Sequence, residues 1–183
     1  SKGVVAASAG NHSQGVAFAS NIENIPCTIV MPRTASPAKV AATKSYGAKV
    51  VLEGSTYDES WDHAQKISAE TNATVIHAFD DSNVIAGQGV IGLEIMEELP
   101  DVDEIYVPIG GGGLVAGIIT AVKEKHPHVK IIGVESSAYP AMKKSLESNS
   151  LETVSGDTTI ADGISVKTPG KLTFDIVREK IDK

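Results

Sequence analysis

The sequence predicts an α/β protein built from parallel sheets with flanking helices. Three observations carry that prediction. Short apolar, β-branched runs alternate with longer helical patterns from one end of the chain to the other. The runs are almost continuously apolar, as in strands covered on both faces, instead of alternating as half-exposed strands do. Gly, Pro or Asn stands at nearly every junction, as at Ile25-Pro26, Tyr46-Gly47 and Leu99-Pro100. Strict β–α alternation leads to parallel strands joined by right-handed crossovers.

Taken in order, Val4–Ala7 is the first strand, and the small-residue stretch Ser13–Asn21 the first helix. A strand at Cys27–Met31 follows Pro26, then a helix over Ser36–Tyr46 that ends before Gly47. Lys49–Glu53 is the third strand and Tyr57–Thr71, an amphipathic stretch with Trp61 on its packing side, the third helix. A strand at Thr74–His77 leads to a helix over Ile85–Leu99, whose Glu94, Glu97 and Glu98 form a solvated face. Ile105–Ile109 and Lys130–Glu135 are the last strands, with helices at Leu114–Lys125 and Tyr139–Ser148. Lys171–Lys183 reads as a final helix with Leu172, Ile176, Val177 and Ile181 on one side. Between these last two helices lies a Ser-, Thr-, Gly- and Asp-rich stretch without period, too long to be an idle loop in a compact domain.

Composition excludes several classes of function. A net charge of −7, with no basic stripe interleaved with aromatics, argues against nucleic acid. No apolar run approaches the ~20 residues that span a bilayer, so no membrane partner is expected. Ser1-Lys2-Gly3 does not read as a signal peptide, and the single cysteine builds no disulfide, so the expected location is cytoplasmic. Cys27 reads as a core residue, His126-Pro127-His128 as the solvated end of a helix, and His77 with Asp80 and Asp81 as a turn after a strand. The abrupt start and the open-ended last helix suggest a central piece of a larger fold. The two lobes expected, 1–90 and 91–183, are then both incomplete.

Two strand-to-helix corners carry the chemistry. In "IYVPIGGGGLVAG" (105–117) a strand runs through four glycines into a helix. Close helix–sheet packing needs one or two glycines. Four point to an anion seated on bare backbone N–H groups, where the helix dipole adds favourable potential. Gly111-Gly112-Gly113-Leu114-Val115-Ala116 also fits G-x-G-x-x-A, with Glu135 about twenty residues on, so an NAD-dependent oxidoreductase is an alternative on spacing. Ser8-Ala9-Gly10-Asn11-His12 forms a second such corner, suited to a carboxylate. A dinucleotide fold needs one corner of this kind; a cofactor monophosphate plus an amino-acid carboxylate needs two.

Four ordered motifs, Ser8-Ala9-Gly10-Asn11-His12-Ser13-Gln14-Gly15, Val84-Ile85-Ala86-Gly87-Gln88-Gly89, Pro108-Ile109-Gly110-Gly111-Gly112-Gly113-Leu114 and Ile160-Ala161-Asp162-Gly163, resemble the threonine/serine dehydratases (ammonia-lyases). These are pyridoxal-phosphate enzymes of fold type II, the tryptophan synthase β-like architecture. Pro169–Phe174 leans toward the catabolic-type members. The resemblance implies pyridoxal 5'-phosphate as cofactor and dehydration of L-threonine or L-serine to 2-oxobutyrate or pyruvate plus ammonia, in an intact enzyme that is a homo-oligomer.

The same resemblance implies that Gly110, Gly111, Gly112, Gly113 and Leu114 cradle the cofactor phosphate, Asn11 meets the phenolic oxygen of the ring, and Gly163 lies against that ring. Ser8, Ala9, Gly10, Asn11 and His12 form the loop on the substrate carboxylate. The family's Schiff-base lysine lies upstream of that loop, in no stretch matched here, so residues 1–183 alone are expected to be inactive. Serine racemase is the nearer alternative, but racemases carry a serine where this chain has Ala9. Their cation site needs an acid a few residues beyond Glu135, where Tyr139, Pro140 and Ala141 stand; Glu135 is thus the lone candidate ligand and no metal is expected. A catalytically dead binding or regulatory module is the alternative from another class.

Overall fold

A computed structural model describes residues 2–183. Among them the six strands are β1 (Val4–Ala7), β2 (Cys27–Met31), β3 (Lys49–Leu52), β4 (Thr74–Val75), β5 (Glu104–Pro108) and β6 (Lys130–Val134). The helices are α1 (Asn11–Ile22), α2 (Pro37–Ser45), α3 (Tyr57–Thr71), α4 (Ser82–Glu98), α5 (Gly113–Lys125), α6 (Ala141–Ser148) and α7 (Lys171–Lys180), with a 3-10 turn at Asp162–Ile164. Every strand pair is parallel, as the continuous apolar runs predict. The chain divides into two compact units, residues 1–78 and 79–183, the division falling before α4.

In the first unit the sheet order is β3-β2-β1-β4. Alternate residues of a strand point to opposite faces. Val5 and Ala7 therefore pack with Val30 and Ala64 of α3 on one side, while Ala6 packs with Ala17 of α1, Ile29 and Met31 on the other. Burial of both faces is the reason that β1 and β2 carry no polar alternation. Helix α3 has purely local punctuation. The Thr56 side chain accepts from Glu59 N–H at 3.3 Å, the Glu59 carboxylate accepts from Ser55 N–H at 2.5 Å, and Asn72 closes the helix at φ 56°.

In the second unit β5 pairs with β6, and one core joins Val107, Ile109, Val115, Ile119, Ile131, Phe174 and Val177. Helices α4 and α5 meet backbone to backbone: a Cβ on Gly117 would lie 2.4 Å from the Ile85 carbonyl oxygen and 2.7 Å from the Gly89 nitrogen. Much of the Val84–Gly89 motif is thus a helix-packing device. Helix α4 starts at Ser82, earlier than the apolar pattern predicts, because the Asp81 carboxylate accepts from the N–H groups of Asn83 (2.8 Å) and Val84 (3.1 Å).

Helix α7 stops at Lys180 instead of running to Lys183. Beyond it the backbone turns onto β6. Asp182 N–H donates to the Ile131 carbonyl (3.2 Å), the Asp182 carboxylate accepts from Ile131 N–H (2.7 Å), and Gly133 N–H donates to the Lys183 carbonyl (2.8 Å). An ion pair of 2.7 Å between Lys123 and Asp182 holds that turn. The stretch after α6 is pinned by Val154 N–H on the Lys167 carbonyl at 2.9 Å and by the paired hydroxyls of Thr153 and Thr168.

Candidate functional site

The β1–α1 corner belongs to the first unit. Helix α1 begins at Asn11, two residues before the predicted start, so Asn11 and His12 form its first turn. Gly10 caps the helix without a side chain, and the first helical hydrogen bond runs from Gln14 N–H to the Gly10 carbonyl at 3.4 Å. The N–H groups of Asn11, His12 and Ser13 are therefore left for an outside acceptor, as at any helix start. Ser8 Oγ accepts from Gly10 N–H at 3.2 Å and tightens the turn. Ser13 Oγ donates to the Gly10 carbonyl at 2.6 Å and lies 3.2 Å from Thr43 Oγ1, a buried hydroxyl pair that ties the corner to α2.

Asn11 is exposed, and its carboxamide makes no hydrogen bond among the described residues. Ala9 contributes only a methyl, packed against the Ala6–Ile29 cluster. His12 behaves differently. Its Nε2 lies 3.1 Å from the Ile76 carbonyl, an acceptor only, so Nε2 carries the proton. Burial pushes the imidazole pKa below its usual value, opposed by the bond to Ile76 and reinforced by His77. What His12 offers an anion is its backbone N–H, while its ring braces the corner against the end of the sheet.

The β5–α5 corner belongs to the second unit. Gly112 caps α5 in the left-handed region (φ 98°), no side chain caps the helix, and the first helical bond is Ala116 N–H to the Gly112 carbonyl at 2.9 Å. The N–H groups of Gly113, Leu114 and Val115 are open donors at the positive end of a four-turn helix. That donor set fits a phosphate monoester.

The reason for four glycines differs from the one the sequence suggests. A Cβ on Gly111 would lie 2.3 Å from the Phe79 ring, on Gly113 2.9 Å from the Phe79 Cα, and on Gly112 2.8 Å from both Met142 Cε and Thr173 Oγ1. Close packing accounts for these three. Gly110 packs against Ile164 and Val166, which brings the loop carrying Gly163 onto this corner. Around Gly163 itself no atom lies within 4 Å of a Cβ position. The Leu114 side chain packs on the core of the unit.

Glu135 is engaged elsewhere. Its two oxygens accept from the N–H groups of Met142 and Lys143, each at 2.8 Å, capping α6, whose own N-cap is Pro140. Burial raises its pKa in spite of those bonds. It is not free to bind a ribose, and no cluster of three His, Cys, Asp or Glu suited to a metal ion occurs among the described residues.

Asp80, part of the turn after β4, does the same for α7. Its oxygens accept from the N–H groups of Lys171 (3.0 Å), Leu172 (2.9 Å) and Thr173 (3.2 Å). Sequence reasoning missed Asp80, Phe79 and Thr173 as neighbours of the glycine corner. The available signal was a helix starting at Pro169-Gly170 with no Ser, Thr, Asp or Asn to cap it.

The fold is α/β with two uncapped helix starts, each following the end of a parallel strand, and such starts offer open N–H donors that suit small anionic groups. The whole chain, residues 1–183, matches the family described as pyridoxal-phosphate dependent enzyme, and the protein belongs to that family. It is 53% identical over 182 residues to an L-threonine ammonia-lyase of Thermotoga maritima, covering all of this chain and 45% of that protein. Threonine deaminase isoform 2 from Solanum lycopersicum, in its processed form, superposes with a TM-score of 0.93 at 44% identity, over 99% of this chain and 50% of that one. Maize serine racemase superposes with a TM-score of 0.95 at 36% identity, over all of this chain and 55% of that one. The chain spans about half the length of the relatives it matches. Among the described residues, no helix is long and apolar enough to cross a membrane.

Proposed function

We propose that the intact protein is a pyridoxal-phosphate dependent L-threonine/L-serine ammonia-lyase. The observation that carries this reading is the 53% identity to a threonine ammonia-lyase along the entire chain. The net reaction removes one ammonia: threonine loses water across Cα and Cβ, regains it on hydrolysis, and leaves as 2-oxobutyrate. Serine gives pyruvate in the same way. When bound, pyridoxal phosphate supplies an electron sink that labilises bonds at the substrate α-carbon.

This chain's residues would take the following tasks in that reaction. The N–H groups at the start of α5 would hold the phosphate, with Gly110–Gly113 and Leu114 as the cradle and Gly163 against the cofactor ring. Asn11 would hydrogen-bond the phenolic oxygen of the cofactor. Ser8, Ala9, Gly10, Asn11 and His12 bind the substrate carboxylate, the orphan N–H groups of α1 supplying the donors. The first unit then serves as the substrate-loop lobe and the second as the cofactor lobe of a cytoplasmic homo-oligomer. A racemase reading draws support from the likeness to the maize protein. It lacks a proton-transfer group at Ala9, whose methyl can move no proton.

The test is a titration of the intact protein with pyridoxal phosphate and with NAD, followed by incubation with L-threonine. Binding of pyridoxal phosphate alone, with stoichiometric 2-oxobutyrate and ammonia, is expected. Binding of NAD without pyridoxal phosphate, or D-amino acid as the main product, would overturn the reading.

A further inference from the structure

Beyond the donors themselves, the second unit contains a device that aims them. The Gly111 carbonyl receives two hydrogen bonds from the start of α7: Thr173 Oγ at 2.6 Å and Gly170 N–H at 3.1 Å. The Thr173 hydroxyl has a single hydrogen, and its longer contact, 3.1 Å to the Gly170 carbonyl, leaves Gly111 as the better acceptor. Thr173 is fully buried, so no water competes for that bond.

A trans peptide is planar, with its C=O and the next N–H pointing in opposite directions. Fixing the Gly111 carbonyl therefore fixes the Gly112 N–H on the other side of the same plane. Gly112 sits at φ 98° and ψ −3°, a conformation that glycine alone adopts without cost and that glycine also leaves easily. Something outside the glycine run has to choose the orientation. Thr173 is itself held by Asp80, whose carboxylate accepts from three successive N–H groups of α7 and occupies the space where a Cβ on Gly170 would stand.

We propose that Thr173, seated by Asp80, is a positioning residue that orients the Gly111–Gly112 peptide and so presents the corner's N–H groups to the phosphate. Neither side chain touches the ligand; both act through the plane of one peptide. The proposal rests on the reading of this corner as the phosphate site, and its test separates the two.

Affinities of the intact protein are measured for pyridoxal phosphate and for pyridoxal, which lacks only the phosphate, alongside thermal unfolding. The wild type is expected to prefer pyridoxal phosphate strongly; equal affinity for the two would overturn the phosphate site itself. Thr173→Val keeps the shape and removes the hydroxyl. It is expected to weaken pyridoxal phosphate roughly tenfold while leaving pyridoxal unchanged, and Thr173→Ser is expected to restore the wild-type ratio. Should Thr173→Val fail to fold, Asp80→Asn decides, with a smaller loss in the same ratio expected. An unchanged ratio in the folded variant, or equal loss for both ligands, would overturn the proposal, because a merely structural role does not distinguish them.

Discussion

The two corners have the same local design and opposite surroundings. Both follow the last residue of a parallel strand, both start a helix without a side-chain cap, and both leave N–H groups without helical partners. At the β1–α1 corner a Cβ on Gly10 would meet nothing within 4 Å, and Asn11 reaches into solvent. At the β5–α5 corner Gly111, Gly112 and Gly113 are buried and wedged against Phe79, Met142 and Thr173. The glycine of the first corner stands in open space; those of the second are packed in place. That division suits the roles proposed for them, an exchangeable substrate at the first corner and a resident cofactor at the second.

The largest expected effect separates these surroundings directly. Gly112→Ala places a Cβ at φ 98° and 2.8 Å from two neighbouring side chains. Backbone strain of about 1 kcal/mol and overpacking of about 1–3 kcal/mol give an expected loss of roughly 2–4 kcal/mol. Gly10→Ala, at φ −135° with open space around it, is expected to stay within about 0.5 kcal/mol of wild type. Denaturant unfolding of both variants checks the contrast, and similar losses would erase it.

A smaller effect sharpens the reading of the open corner. Asn11 makes no bond among the described residues, so Asn11→Ala is expected to leave stability unchanged, alter the absorption spectrum of the bound cofactor and slow the reaction. Ser8→Ala removes a hydroxyl that accepts from Gly10 N–H and holds the turn. It is expected mainly to raise KM, by roughly tenfold, because it weakens contacts made throughout the reaction. Steady-state kinetics with spectra of both variants distinguish the roles; identical losses with unchanged spectra would merge them.

These contrasts also explain what was legible in the sequence. Helix α3 is read to the residue because Thr56, Glu59 and Asn72 punctuate it from within the same stretch. Strands β1 and β2 are legible because burial on both faces leaves no polar alternation to confuse the pattern. The start of α7 at Lys171 is read to the residue, but its cap is not, because Asp80 reaches it from 91 residues up the chain and no local pattern records such a partner. The glycine corner is visible as a corner. Its packing reason is not, since Phe79, Met142 and Thr173 are brought to it only by folding. The same holds for His12, a polar loop residue by sequence whose ring is committed to Ile76.

The smallest expected effect is a pH dependence from that ring. Burial lowers the His12 pKa in the folded chain, the bond to Ile76 opposes the shift, and the neighbouring His77 adds to it. In the unfolded chain the imidazole titrates near its ordinary value of about 6.5. As the pH falls below that value the unfolded state takes up the proton before the folded state does. Stability from His12 is therefore present above about pH 6.5 and is lost as the pH falls toward its lower folded pKa. His12→Gln has no such group to titrate. Its melting temperature relative to wild type is expected to rise as the pH is lowered from 7 to 5, by a few degrees at most (about 1–3 °C). Melting curves of the two proteins across that range measure the difference. A constant offset would mean that the His12 ring is as well solvated in the folded chain as in the unfolded one, and that the β1–α1 corner is open on its inner side as well as its outer one.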